Sequence, residues 1–297
     1  MQDYLISNLI SSSLDTGDLT PRNLFEKSEK KFAHSPSSDT LIICLPGWGQ
    51  SLWSWVKVKK FILKTKRSCL FYEFPRAIFS NNHQLTKDCF STINKTVRAD
   101  IKKLKEKHSF KNCVLVSISL ASSFGSMIYK NNPDVTEIIH IAPGENLARD
   151  MWHGCRTQHL RRSYERQGIS LNNLEKRWHD LAPEYNFPDS KTRVKIFFCS
   201  SDRVIPYKLG RSLDDTLKKN GFKTEVTTFS YGHYFLIWRL LLNPPNFLIF
   251  LTLFLVKPSR SDLEDVRQMS LYMATILTQK PSRSDLDDLI HQYYAIA

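Results

Sequence analysis

Ser119, Asp202 and His233 stand in this 297-residue chain in settings that would let a hydroxyl act as a nucleophile. A serine is unreactive at its own pKa. It needs an imidazole to accept its proton, and the imidazole needs a carboxylate to fix its tautomer and stabilise its charged form. Ser119 follows the apolar run 113–117 (CVLVS) and precedes a helix start rich in small residues: Ala121, Ser122, Ser123, Gly125 and Ser126. A nucleophile on a tight strand-to-helix turn requires small neighbours two positions before and after it, and Ser117 and Ala121 occupy those places. The turn also aims the free N–H groups of the helix N-terminus at a reacting carbonyl. Taken alone, the pattern equally fits a buried strand followed by a serine-rich helix cap.

Its partners sharpen the reading. Asp202 lies in a short loop directly after the run 194–199 (VKIFFC), and His233 lies in a turn after the run 224–229. Upstream, Pro46-Gly47-Trp48-Gly49 closes the run 41–45 (LIICL), and its glycines allow a main-chain N–H to curl into a site. The amides of Trp48 and Leu120 are the expected oxyanion donors. Two rivals exist. Ser117 is expected to be a spacer within its strand, and Glu145, also just beyond a strand, is an alternative acid. Among the other histidines, His140 falls inside a strand and His153, His159 and His179 in a helical segment, the ordinary places for core or surface imidazoles.

The elements that must position these groups follow from periodicity. Runs at 41–45, 69–72, 113–117, 137–141, 194–199 and 224–229 read as strands, and several are apolar without alternation, as in a parallel sheet covered on both faces. Most are separated by one helical crossover, the pattern of an α/β domain. Between 141 and 194 lie roughly fifty residues, far more than the dozen or so that a crossover needs. They contain two helical stretches parted by Gly168 and are expected to form a cap inserted over the sheet edge. The expected organisation is an N-terminal extension at 1–38, a core at 39–144 and 191–256, the cap at 145–190, and a tail at 257–297. The tail repeats itself: KPSRSDLED at 257–265 returns as KPSRSDLDD at 280–288, each copy opening a short helix with a capping serine, Ser261 or Ser284.

Composition narrows the class. With 41% hydrophobic and 24% charged residues the chain can bury a sizeable core. The net charge of +13 could attract a polyanion, but the lysine runs at 56–67 and 101–111 carry Val58, Phe61, Ile62, Ile101 and Leu104 at helical spacing. They read as solvated faces of amphipathic helices, without a nucleic-acid motif. The six cysteines show no C-x-x-C spacing, so neither a metal site nor a redox dithiol is expected. Cys44, Cys69, Cys113 and Cys199 lie in apolar runs, and these settings with an N-terminus unlike a signal peptide point to a cytoplasmic protein. The apolar region 234–256 is split by Arg239 and by Asn243-Pro-Pro-Asn246, and neither half reaches the ~20 residues of a membrane span.

In this order (PGWGQS, SISLA, SSDRVIP, YGH) the chain resembles the α/β-hydrolase superfamily over residues 39–256. The resemblance implies a serine hydrolase. Ser119, His233 and Asp202 would form the triad, a small-molecule ester, thioester or other acyl compound would be the substrate, and no cofactor, metal or nucleic acid would be involved. Within the cap, Trp152 and Arg156 are candidate substrate contacts; the alternative is a basic surface over a Leu147, Met151, Cys155 stripe. The chain departs from the family pattern at both elbow glycines, here Ser117 and Ala121, and at Pro46, where many relatives carry histidine. These departures leave room for a catalytically impaired relative acting as a binding or scaffold module. Membrane association through the run 247–256 is a third and weaker possibility.

Overall fold

A seven-stranded sheet organises the chain. The computed structural model describes residues 29–48, 56–130, 132, 134–186, 193–230, 232, 233, 236 and 237. The strands are β1 (Glu29–Ala33), β2 (Thr40–Leu45), β3 (Ser68–Glu73), β4 (Asn112–Ile118), β5 (Glu137–Ile141), β6 (Arg193–Cys199) and β7 (Thr224–Phe229). They lie in the order β1-β3-β2-β4-β5-β6-β7, with β1 antiparallel to β3 and every other pairing parallel. All six strands read from periodicity are present. The antiparallel edge strand β1 was not among them and falls within the expected N-terminal extension.

Burial explains the strand sequences. β2 and β5 are buried along their whole length, and β4 and β6 are buried except at their first residue. Helices cover both faces of the sheet there, so no alternation is needed. β7, last in that order among the described strands, is only partly covered and carries three threonines and a glutamate (TEVTTF). The helices preceding the insertion are α1 (Val56–Lys64), α2 (His83–His108) and α3 (Ala121–Lys130). α2 is capped by Asn82, whose side chain accepts the amides of Gln84 and Leu85, and it ends at Ser109 in a left-handed conformation. Its stripe of Thr86, Phe90, Ile93, Val97 and Ile101 faces the core, while lysines line the opposite side. In α1, Val58 and Ile62 are buried under the same arrangement. The lysine runs are therefore outer faces of amphipathic helices.

The insertion between β5 and β6 is helical: α4 (Leu147–His153), α5 (Gln158–Arg166), α6 (Leu171–Arg177) and two short 3-10 turns. Its first stretch breaks at Gly154, where a Cβ would fall 2.5 Å from the Val204 carbonyl. Aromatic anchors hold it down. The Tyr164 hydroxyl donates to the Ser80 carbonyl at 2.6 Å, and the buried Trp178 donates from Nε1 to the His83 carbonyl at 3.0 Å. After β6 comes α7 (Tyr207–Lys219), which closes the crossover to β7. The run 247–256 and the repeated tail lie outside the described residues, and among the described residues no helix is long and apolar enough to cross a membrane.

One charge pair is buried in the sheet itself. Lys195 on β6 lies 2.7 Å from Glu137 on β5, both about fully covered at 2% and 1% exposure. Burial raises the Glu137 carboxyl above its ordinary value, and Lys195 opposes that shift. Removing Lys195 leaves the buried Glu137 with the more distant Arg193 guanidinium, at 3.5 Å. Lys195→Met is expected to lower stability by about 3–5 kcal/mol. Lys195→Met with Glu137→Leu should recover most of that loss, as read from urea denaturation midpoints.

Candidate active site

Strand order decides where a site can form. The chain runs on from β2 to β3 on one side and from β4 to β5 on the other, so the connections leaving these neighbouring strands diverge and open a crevice at their carboxyl ends. Gly47 and Trp48 follow β2, and Ser119 follows β4, on the two lips of that crevice. They approach closely: a Cβ on Gly47 would stand 3.6 Å from the Ser119 Cβ and 3.6 Å from the Ile118 carbonyl.

Ser119 occupies the turn between β4 and α3 with φ +54°, a left-handed conformation that non-glycine residues rarely adopt. Its side of the turn is nearly closed, at 8% exposure. The Ser119 amide donates to the Ile141 carbonyl on β5 at 2.8 Å, and the Ser119 carbonyl accepts the amide of Ser122 at 2.9 Å as the helix begins. Strain of this kind persists only where the surroundings over-determine it, and such positions gather at active sites. The Leu120 amide, one residue later, donates to no acceptor among the described residues. An amide in that place could stabilise charge on an incoming oxygen.

Asp202 and His233 meet directly. His233 Nδ1 and Asp202 Oδ2 are 2.6 Å apart, with both side chains 3% exposed. The other carboxylate oxygen, Oδ1, accepts the amides of Val204 at 2.8 Å and Ile205 at 2.9 Å. The loop thus fixes one oxygen and presents the second to the ring. A carboxylate beyond Nδ1 favours the tautomer with its proton there, which leaves Nε2 as the acceptor a general base must offer. Glu145, the rival acid, points elsewhere: its Oε1 accepts the Thr216 hydroxyl on α7 at 3.1 Å and its Oε2 lies 3.6 Å from Arg149.

Ser117 is a strand residue, fully buried, with its hydroxyl 2.7 Å from Nδ1 of His140 on β5. From the sequence His140 reads as an ordinary core residue, because a lone histidine in an apolar strand carries no sign of what stands on the next strand. Gly154 was also missed. The Gly154 contact and a Cys155 amide donating to the Arg203 carbonyl at 3.2 Å fasten the inserted helices to the Asp202 loop. Asp150 lies in the same region. Burial, with the nearby Glu145 and Glu184 carboxylates, holds its carboxyl well above the usual range.

The candidate substrate contacts separate. Trp152 is 8% exposed, belongs to the core cluster and lies under the Arg161 guanidinium, 5.4 Å from its ring. Arg156 is exposed. Nearer the oxyanion turn, the indole of Trp48 meets Phe79 edge-on at 5.5 Å and stacks with His159 of α5 at 6.3 Å. Gly49 and the residues up to 55 lie outside the described residues.

No protein-family model and no curated protein matches the chain. Solved structures do. Esterase 2 of Thermogutta terrifontis, phosphonylated by sarin, superposes with a TM-score of 0.53 over 78% of this chain and 92% of its own at 14% identity. An esterase of Pyrococcus furiosus gives 0.51 over 78% and 91% at 13% identity. The Thermogutta enzyme with bound butyrate gives 0.51 over 78% and 91% at 14% identity. The chain has the α/β-hydrolase fold: a mostly parallel sheet flanked by helices, with a helical insertion after β5.

Asp202→Asn keeps the shape of the acid while weakening its hold on the Nδ1 proton. For the reaction proposed below, it is expected to lower kcat on the order of 10³–10⁴-fold while leaving the circular dichroism spectrum unchanged.

Proposed function

We propose that the protein is a serine hydrolase that cleaves a carboxylic ester or thioester through an acyl-enzyme on Ser119. The observation that carries the reading is the buried 2.6 Å contact between His233 and Asp202, set on the same sheet edge as a serine in a left-handed strand-to-helix turn. Ser119 Oγ attacks the acyl carbon as its proton passes to Nε2 of His233. The amides of Leu120 and Trp48 receive the carbonyl oxygen as it becomes negative. His233 then returns the proton to the leaving alcohol or thiol, and the acyl group remains on Ser119. A water, deprotonated by the same imidazole, attacks that ester, and collapse of the second tetrahedral intermediate returns the serine hydroxyl.

The inserted helices would supply the acyl pocket, with Trp152 and Arg156 as proposed substrate contacts. The neighbours favour a short acyl group, since one was solved with butyrate. The six cysteines among the described residues are free and five are buried, which supports a reducing compartment such as the cytoplasm.

A fluorophosphonate probe is expected to label the wild type and to spare Ser119→Ala. Hydrolysis of p-nitrophenyl butyrate should fall by at least about 10³-fold in Ser119→Ala and in His233→Ala. Equal labelling of wild type and Ser119→Ala would refute the assignment, and a series of longer p-nitrophenyl esters would define the acyl preference.

A further inference from the structure

The elbow lacks the glycine that the α/β-hydrolase pattern places two residues before the nucleophile, and the structure shows what stands in for it. Ser117 and His140 are register partners across β4 and β5. Both are 0% exposed, and the hydroxyl lies 2.7 Å from Nδ1, with the Ile139 carbonyl at 3.4 Å. On the other side of Ser117 passes α3. The residue facing it there is Gly125, where a Cβ would come within 3.0 Å of the Ser117 oxygen and 3.2 Å of its Cβ. The volume that serine adds on the strand is thus given up by the helix, and its polar atom is satisfied by the next strand. One rung further along β5, the Ile141 carbonyl accepts the Ser119 amide at 2.8 Å.

We infer that His140 is a positioning residue for Ser119, acting through its hydrogen bond to Ser117. The side-chain link at 117–140 and the main-chain link at 119–141 clamp the end of β4 to β5 on both sides of Ile118. The clamp resists relaxation of the left-handed turn at Ser119, which has no glycine at 117 to absorb the curvature. Burial pushes the His140 imidazole down to about 3, so the ring stays neutral throughout the range in which the enzyme would work. This inference rests on the reading of Ser119 as the nucleophile, and its test separates the two.

Three variants are compared with the wild type. His140→Leu removes the hydrogen bond at similar volume, His140→Asn keeps a polar atom near the position of Nδ1, and Ser117→Ala removes the other partner. In His140→Leu and Ser117→Ala, kcat for p-nitrophenyl butyrate is expected to fall about 10- to 100-fold with KM within about twofold, because displacement of a nucleophile acts on the chemical step. His140→Asn should restore kcat to within about threefold of wild type. Hydrogen exchange at the Ser119 amide, followed by NMR, should accelerate at least about tenfold in His140→Leu and Ser117→Ala but not in His140→Asn. Wild-type kcat and wild-type exchange in the two disruptive variants would overturn the inference. So would equal losses in His140→Leu and His140→Asn, the outcome of a purely space-filling ring. If the wild type neither hydrolyses esters nor reacts with the fluorophosphonate, the functional reading fails, and the amide exchange alone decides whether His140 holds the turn.

Discussion

The left-handed turn at Ser119 cannot hold itself. A residue with a Cβ at φ +54° is strained, and the chain keeps it there only because neighbouring elements leave no alternative. Ile141 on β5 takes its amide, and Gly47 brings the turn after β2 against its Cβ. α3 begins at once and is buried from Ala121 through Tyr129. Small residues are needed wherever these elements converge: Gly47 stands against Ser119, and Gly125 against Ser117 two residues earlier. The rest of the proposed chemistry depends on this constraint, since it aims the proposed nucleophile and the following amide at one small volume.

The second half of the site is built on a different principle. Asp202 is held by its own loop: one oxygen takes two successive amides and the other takes the imidazole. A carboxylate so engaged cannot rotate without losing hydrogen bonds in a buried place, so the ring it holds keeps one tautomer. The inserted helices share that loop through Gly154 and Cys155, while Tyr164 and Trp178 tie them to Ser80 ahead of α2 and to His83 at its start. The insertion therefore braces the acid as well as covering the sheet edge.

What could be read from the one-dimensional chain concerned properties that local pattern encodes. Apolar runs without alternation marked β2, β4, β5 and β6, because burial on both faces removes the need for a polar side. Serine, aspartate and histidine at strand ends were legible because a parallel sheet gathers its loops on one edge. The lysine runs resolved into solvated helix faces because Val58, Ile62 and Ile101 recur at helical spacing beneath them. β1 escaped notice since an antiparallel edge strand of five residues, EKKFA, has too little apolar content to stand out.

By itself, the sequence determined the fold class, the order of the site groups and their placement at strand ends, since these follow from periodicity and chain order. Tertiary structure alone decided that His233 pairs with Asp202 while Glu145 turns to Thr216, that Ser117 meets His140, and that Lys195 meets Glu137 inside the sheet. Each of these is a contact between elements far apart in the sequence. Such contacts depend on register and on the path of the crossing chain, and a shift of one residue would send every side chain of a strand to the opposite face.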